Sequence, residues 1–434
     1  MGGVHCLPVL PSLPGFVLTD PTNDPADAAS NAPVTSPLRE PAYLVSLVVA
    51  VVVALGFGLV VPVLPLFARS FGVGLFAVTV VVSVFAGVRL VSNLYTGALT
   101  DRIGSRSAIG WGAIIVAASS LLTATAASYW QLVAYRGVGG FGSALFFNAL
   151  LTHVVGIVPA HQRGRAVGGL QAAFLLGISL GPTVGGLLAE PLGLRWPFVI
   201  YAITCGLAGV VALRFLPDEV VVDEAGGKEA RPRGVKALLR VARDLCTDPT
   251  FAIALVLMAA SRWAATGVRF SLVPLLAVEQ AGATTLVMSL ALTLAALTHL
   301  AITWPAGKVA DTIGRRTLSV PAFAIYAVVT LLLGWSGAVV PFLILMGMYG
   351  IATGLTAVTP PAVVGDLVPP QRTGVAIGVL NTAGDFGSVL GPLVSGVLAE
   401  AYGFPAGFGA SAALLAIGAV LALRMRETLP ERAG

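Results

Sequence analysis

The sequence predicts an all-α integral membrane protein of twelve transmembrane helices, arranged as two pseudo-symmetric six-helix bundles. Three observations predict it. Charged residues are 10% of the 434-residue chain and hydrophobic residues 57%, against roughly 25% and 45–50% in soluble domains. Apolar runs of about 20 residues recur, long enough for a hydrocarbon core of about 30 Å. Finally, the chain repeats itself at an offset of 210 residues. Gly97-Ala-Leu-Thr-Asp101-Arg102-Ile-Gly104-Ser105-Arg106 returns as Gly307-Lys-Val-Ala-Asp311-Thr312-Ile-Gly314-Arg315-Arg316, and Gly177-Ile-Ser-Leu-Gly181-Pro182 returns as Gly387-Ser-Val-Leu-Gly391-Pro392. Leu188-Ala189-Glu190 and Gly193 return as Leu398-Ala399-Glu400 and Gly403. A repeat of this size marks duplication of one large unit.

In chain order, residues 1–40 are rich in Pro, Asp and Asn and read as a disordered tail. They lack the basic start and apolar core of a signal peptide. Candidate spans one to six follow at about 42–66, 76–99, 107–126, 130–154, 165–189 and 196–216, forming an N-terminal bundle over 41–216. Segment 217–249 is the longest internal loop. Its Val235, Leu238, Leu239, Ala242 and Leu245 fall at helical spacing with Lys236, Arg240 and Arg243 between them. That pattern predicts a short amphipathic helix on the membrane face, with a plain polar tether as the alternative. Spans seven to twelve follow at about 250–276, 284–307, 317–336, 341–363, 373–399 and 405–424, forming a C-terminal bundle over 250–426, and 427–434 is a short tail. The Gly and Pro within spans are tolerated where neighbouring helices re-satisfy the backbone.

Orientation follows from the basic residues. With both termini in the cytoplasm, that side holds 19 of the 25 Lys and Arg, and the opposite side holds only Arg69 and Arg195. This asymmetry predicts cytoplasmic termini, an even number of spans and a multi-pass protein of the plasma (inner) membrane. The pI of about 9.3 does not indicate nucleic acid, because the charges sit in short loops rather than on one face. Cys6, Cys205 and Cys246 have neither metal nor disulfide spacing. No residue set suggests an enzyme. Gly137-x-Gly139-x-x-Gly142 spells a dinucleotide fingerprint, but inside an apolar span and with Gln162 where an acid is needed. Asp385-Phe386-Gly387 lacks every other kinase element. No metal and no cofactor are expected.

The repeated loop lies between spans two and three and again between spans eight and nine. Glycine permits a tight turn, and Arg102, Arg106, Arg315 and Arg316 hold the loop on the basic side. Asp101 and Asp311 end a helix there. Each is placed to meet the positive N-terminal end of a helix from the other half, a contact worth roughly 0.3–2 kcal/mol, and so to latch that side; alternatively the loop only determines topology. The pattern Gly-x-x-x-Asp-Arg-x-Gly-x-Arg resembles the loop signature of the major facilitator superfamily, over about 41 to 427. Ser105 replaces the usual basic residue in the first copy, and Thr312 replaces the Arg after Asp in the second.

In span five, Gly177-x-x-x-Gly181-Pro182-x-x-Gly185-Gly186 resembles the superfamily's antiporter motif, found in drug–proton exporters. Small residues four apart let helix backbones pack closely, and proline kinks the span. A smooth, kinked face suits a sliding contact between halves, and the second half keeps Gly391 and Pro392. In span four, Arg136-Gly-Val-Gly139-Gly140 resembles the fourth-span motif, with Gly139 where a polar residue is common; the resemblance implies a role in proton coupling, and an arginine satisfied by backbone carbonyls is the alternative. A mid-membrane arginine costs about 2.5–3.5 kcal/mol on insertion scales without partners.

Asp385 is the one acid well inside a span, and its counterpart in the first half is Leu175. Hydrocarbon disfavours a charged carboxylate unless a cation is near, so a carboxyl there suits a proton carrier. It serves either as that carrier or as a counter-ion to an Arg. Arg262 and Arg269 lie seven apart and share one helix face. With Arg89 and Arg136 they give the interior four cations against one clear anion, a surplus suited to an anionic or carboxylate-bearing substrate, with pairing to Asp385 and to backbone carbonyls as the alternative. Asn93, Asn148, Gln171, His299 and Asn381 are further polar residues within spans, placed to contact substrate or to glue helices. By resemblance, the chain is a secondary active transporter working by alternating access, a proton-coupled exporter of small organic compounds. Its partners are then a small-molecule substrate, protons and the lipid bilayer, with no nucleic acid, and it acts as a monomer. An importer or uniporter of an anionic metabolite, and a non-transporting membrane sensor or scaffold, are the alternatives.

Overall fold

A computed structural model describes residues 40–159, 162–217, 243–369 and 372–429. Its helical spans run Pro41–Arg69, Leu75–Ile103, Ser105–Thr125, Tyr129–Ile157, Arg163–Leu192 and Trp196–Phe215 in the first half. In the second half they run Pro249–Glu279, Thr285–Ile313, Arg315–Leu333, Val339–Leu367, Thr373–Tyr402 and Phe404–Ala422. They are called spans one to twelve. Eleven of them are long and apolar enough to cross a membrane. The other, span eleven, is equally long at 30 residues, but Asn381, Thr382 and Asp385 dilute its apolar character. The helices extend past the apolar runs because the polar residues at their ends remain helical. Spans two and eight continue through Asp101 and Asp311 until Gly104 (φ 83°) and Gly314 (φ 108°). That backbone region strains any residue with a Cβ, so the glycines of the repeated loop set where each span stops.

Each half has its own apolar core. One is built around Val53, Ile109, Leu132 and Phe146, the other around Leu257, Phe323, Phe342 and Phe408. The halves meet along two seams, span two against span eleven and span five against span eight. The sequence motif in span five does not supply a sliding surface there. Gly177, Gly181 and Gly185 instead pack on span one of their own half, against Ala54, Gly58 and Leu59. Gly387 and Gly391 pack in the same way on Ala259 and Trp263 of span seven. These glycines fasten helices within a bundle, where a larger residue would separate the backbones. Only Gly186 and its repeat equivalent Gly396 reach the other half, at Ser289 and Thr79. Pro182 and Pro392 remain inside continuous helices.

Span seven departs from regular geometry. Residues Ala264–Leu272 form a π-helix. The Ser271 hydroxyl donates to the Thr266 carbonyl five residues back (2.7 Å), and the Tyr349 hydroxyl donates to the Ala264 carbonyl (3.1 Å). Gly267 within this segment lies on the backbone of Gly391. The π-helix is wider per turn than an α-helix. Seven residues therefore no longer complete two turns, and Arg262 and Arg269 do not share a face. Of the expected amphipathic segment only Arg243 and Leu245 lie among the described residues, and Leu245 packs on the second core. The N-terminal tail through Arg39 lies outside the described residues.

An added methyl at Gly177 would sit 2.7 Å from the Ala54 Cβ and the Val51 carbonyl oxygen, whereas one at Gly168 of the same helix meets nothing within 4 Å. Gly177→Ala is expected to lower the thermal midpoint of the purified protein, at a cost of about 1–3 kcal/mol for overpacking. Gly168→Ala is expected to leave the midpoint unchanged or raise it. A scanning melt of both variants checks this.

Candidate functional site

The two ends of the molecule differ. One end carries the loops of Asp101 and Asp311 and is called the basic end; the other is the far end. At the far end the halves are joined by three contacts that obey the sequence repeat. Arg69, the last residue of span one, donates from Nε to Glu279 Oε1 at the end of span seven (2.8 Å). Positions 69 and 279 are equivalent in the repeat, so this pair meets on the pseudo-twofold axis. Glu400, near the end of span eleven, accepts from the Phe76 backbone N–H at the start of span two (2.6 Å). Its equivalent Glu190, near the end of span five, accepts from the Leu286 N–H at the start of span eight (3.2 Å). The first N–H groups of a helix lack an intrahelical partner and carry its positive end, so a carboxylate there is favoured. Below these contacts the Thr183 hydroxyl bonds the Thr293 hydroxyl (2.7 Å) and the Ser83 hydroxyl donates to the Val389 carbonyl (2.9 Å).

At the basic end no hydrogen bond or ion pair crosses between halves among the described residues. Asp101 and Arg102 are exposed. The Arg106 guanidinium donates to the Leu213 carbonyl of its own half. Arg315 pairs with Asp311 and with Asp366 (Nε to Oδ2, 3.1 Å). Glu427 accepts from the backbone N–H groups of Arg315 (2.6 Å) and Arg316 (3.1 Å), capping span nine. The cross-half latch expected from Asp101 and Asp311 is therefore not made among the described residues: Asp101 is exposed, and Asp311 pairs with Arg315 of its own half. The same kind of contact is made at the opposite end by Glu190 and Glu400. The sequence displayed these two residues as part of a repeat. Their position three residues before the span-ending Gly193 and Gly403 is the signal that they stand at a helix end.

Midway along the span two–span eleven seam lies a polar chain. Asn93 Nδ2 donates to Asp385 Oδ2 (3.2 Å), and Asn148 Nδ2 donates to Asn93 Oδ1 (3.1 Å) and to the Thr96 hydroxyl (2.7 Å). Spans four, two and eleven are thus joined across the halves. Asp385 has an amide as its hydrogen-bond partner, not an arginine. Arg262 lies alongside, exposed, its stem packed on Gly384, and no ion pair joins it to Asp385. Arg89, four residues before Asn93 and so on the same face of span two, stands 5.6 Å from the centre of the Phe147 ring, and its buried Nε has no hydrogen-bond partner. Gln171 and Asn381, equivalent in the repeat, are both exposed. At the positions equivalent to Asn93 and Asp385 the second seam has Thr303 and Leu175.

Two arginines and the histidine stand elsewhere. Arg136 is seven residues past the start of span four, so it lies toward the far end rather than at mid-membrane. It is 3% exposed, with its guanidinium 4.5 Å above the Phe85 ring, a cation–π contact that takes the place of a carboxylate. It borders a cavity of about 40 Å³ lined otherwise by apolar residues including Phe57, Leu64 and Phe270. Arg269 is turned by the π-helix toward span eight, where it donates to the Leu292 carbonyl (3.3 Å). His299 bonds the Thr353 hydroxyl (3.0 Å). Arg136 and Arg269 are held within their own halves and do not join Asp385. Among the described residues no group of side chains could hold a metal ion.

The family model of the Major Facilitator Superfamily matches residues 46–287 and 252–434. The chain is 27% identical over 179 residues to the quinolone resistance protein NorA of Staphylococcus aureus, a match covering 41% of this chain and 46% of that protein. The chain therefore spans about half the length of the curated relative it matches. Among solved structures, a D-xylose-proton symporter superposes with a TM-score of 0.73 at 18% identity, over 89% of this chain and 99% of that one. A bacterial homolog of the human lysosomal transporter Spinster, in an inward-facing and occupied conformation, superposes with a TM-score of 0.74 at 14% identity, over 90% and 97%. The chain belongs to the major facilitator superfamily and is a multi-pass membrane protein.

The bond between Asn93 and Asp385 is testable as a coupled pair. Asn93→Leu and Asp385→Leu are each expected to lower the thermal midpoint. The double variant is expected to lose less than the sum, with a coupling energy of about 0.5–3 kcal/mol. The same cycle on Thr303 and Leu175 is expected to give additive effects.

Proposed function

We propose that this superfamily member is a proton-coupled exporter of small organic compounds, working by alternating access as a single chain in the plasma membrane with both termini in the cytoplasm. The observation that carries the reading is the Asn93–Asp385 hydrogen bond, a titratable group of one half held by the other half within the seam. Its proton occupancy is thereby tied to how the halves sit against each other, which is what coupling requires. The distribution of Lys and Arg assigns the basic end to the cytoplasm. On that assignment the contacts of Arg69–Glu279, Glu190 and Glu400 lie on the outer side, and the reading takes them as the closed end.

Export is supported by the complete antiporter-like motif at Gly177, Gly181, Pro182, Gly185 and Gly186, and by the likeness to a protein named for quinolone resistance. The chain of events follows from the geometry. A compound enters from the cytoplasm and contacts Arg262, Asn381, Gln171 and Arg89 in the open half of the cavity. The exposed guanidinium of Arg262 disfavours a permanent cation, so neutral amphipathic and anionic compounds suit the site. One bundle then rocks against the other about the seams. The far-end contacts break, Asp101 and Asp311 close the basic end, and Asp385 takes up a proton from outside. Return to the inward-open state delivers that proton to the cytoplasm.

In sealed vesicles, Asp385→Asn is expected to abolish substrate movement driven by a pH gradient while leaving substrate–substrate exchange intact. Any pH dependence of flux in the unaltered protein is expected to be absent from the variant. Gradient-driven flux equal to that of the unaltered protein would remove Asp385 from the role of carrier.

A further inference from the structure

We infer that Glu190 and Glu400 are the paired outer gate of this transporter: each carboxylate caps the first turn of a span belonging to the other half, and both are released for the cavity to open at the far end. Nothing in the family match or in the resemblance assigns them a role. The inference rests on the alternating-access reading, but not on proton coupling or on the identity of the substrate.

Three independent features carry it. The first is the duplication of the contact. Glu400 on Phe76 and Glu190 on Leu286 are the same interaction made twice, at positions exactly one repeat apart in both partners. The second is placement. Both residues sit beyond the close-packed part of their seams, where Gly396 lies against Thr79 and Gly186 lies against Ser289. They are the outermost bonds of the two seams, exposed and free to part. The third is the pair between them. Arg69 and Glu279 meet across the pseudo-twofold axis, so the far end is closed at its centre and at both flanks.

The two gates use matching chemistry. Asp101 and Asp311 stand at the C-terminal ends of spans two and eight, and Glu400 and Glu190 stand at the C-terminal ends of spans eleven and five. Spans two and eleven form one seam, and spans eight and five form the other. Each seam thus carries an acid at each of its ends, and at the far end that acid bonds the N-terminal turn of the opposite span. When the far end opens, two carboxylate caps are lost. When the basic end closes, Asp101 and Asp311 make contacts of the same type, Asp311 by leaving Arg315. A transporter needs its two states close in free energy, since a ligand shifts an equilibrium only by its differential affinity for the states. An exchange of like contacts keeps that difference small.

The test uses full-length protein in oriented proteoliposomes, with Cys6 and Cys246 replaced by serine and one new cysteine per protein. Thr183→Cys reports the seam beneath the far-end gate, and Asn381→Cys reports the basic-end side of the cavity. Labelling by a membrane-impermeant maleimide is followed from the corresponding side. Glu190→Ala together with Glu400→Ala is expected to raise the Thr183→Cys labelling rate about tenfold or more and to lower that of Asn381→Cys. Glu190→Gln with Glu400→Gln, which keeps a hydrogen-bond acceptor without the charge, is expected to fall between the double alanine variant and the unaltered gate. Unchanged labelling at Thr183→Cys overturns the gate. A rise at both reporters also overturns it, because that outcome is general loosening. If the reporters respond as expected but the protein without these substitutions moves no compound in vesicles, the gate stands and the exporter reading falls.

Discussion

The unpaired N–H groups at the starts of spans two and eight are completed by Glu400 and Glu190 of the opposite half, and the shape of the molecule depends on where those groups meet. A helix beginning in or near a membrane must have its first amides satisfied. Here the partners come from the other bundle, at one end only. With Arg69 and Glu279 between them, these contacts join the bundles at the far end, while among the described residues no hydrogen bond or ion pair joins them at the basic end.

Within the bundles, the repeat makes equivalent parts and the departures from it make specific ones. Gly177, Gly181 and Gly185 bind span five to span one, and Gly387 and Gly391 bind span eleven to span seven, so each half can move as a body. The π-helix in span seven has no equivalent in span one, and it turns Arg269 away from the cavity while Arg262 stays beside Asp385. One seam carries Asn93 and Asp385 where the other carries Thr303 and Leu175. The mechanical parts are thus symmetric, while a carboxyl midway along the seam, Asp385, is present in one seam only.

Much of the fold was legible in the sequence, because the number, order and approximate ends of the spans follow from apolar length and the 210-residue repeat. The polar chain through Asp385 was legible only as its separate members. Asn93 and Asn148 are ordinary span residues until spans two, four and eleven are packed. Two expectations failed for definite reasons. The glycines of span five serve a contact within the bundle, because small residues signal close approach without naming the neighbour. Arg262 and Arg269 part because periodicity assumes an α-helix throughout, and no residue pattern announced the π-helix. The Asp101 and Asp311 contact expected across the halves is not made in this structure, where Asp311 pairs with Arg315. The corresponding residues here, Glu190 and Glu400, were visible as a repeat and lacked only the knowledge of which helix starts beside them.

The central claim is that the halves move as bodies about the two seams, closing one end as the other opens. Pulsed electron spin resonance distances measure it directly, with labels on Leu192 and Tyr402 at the far end and, in a second sample, on Ile103 and Ile313 at the basic end. All four side chains are exposed. In nanodiscs the account predicts two populations at each end. Any treatment that lengthens the 192–402 distance, including loss of the Glu190 and Glu400 carboxylates, must shorten the 103–313 distance. Distances that change together, or a far-end distance that stays single while the basic end moves, would contradict it.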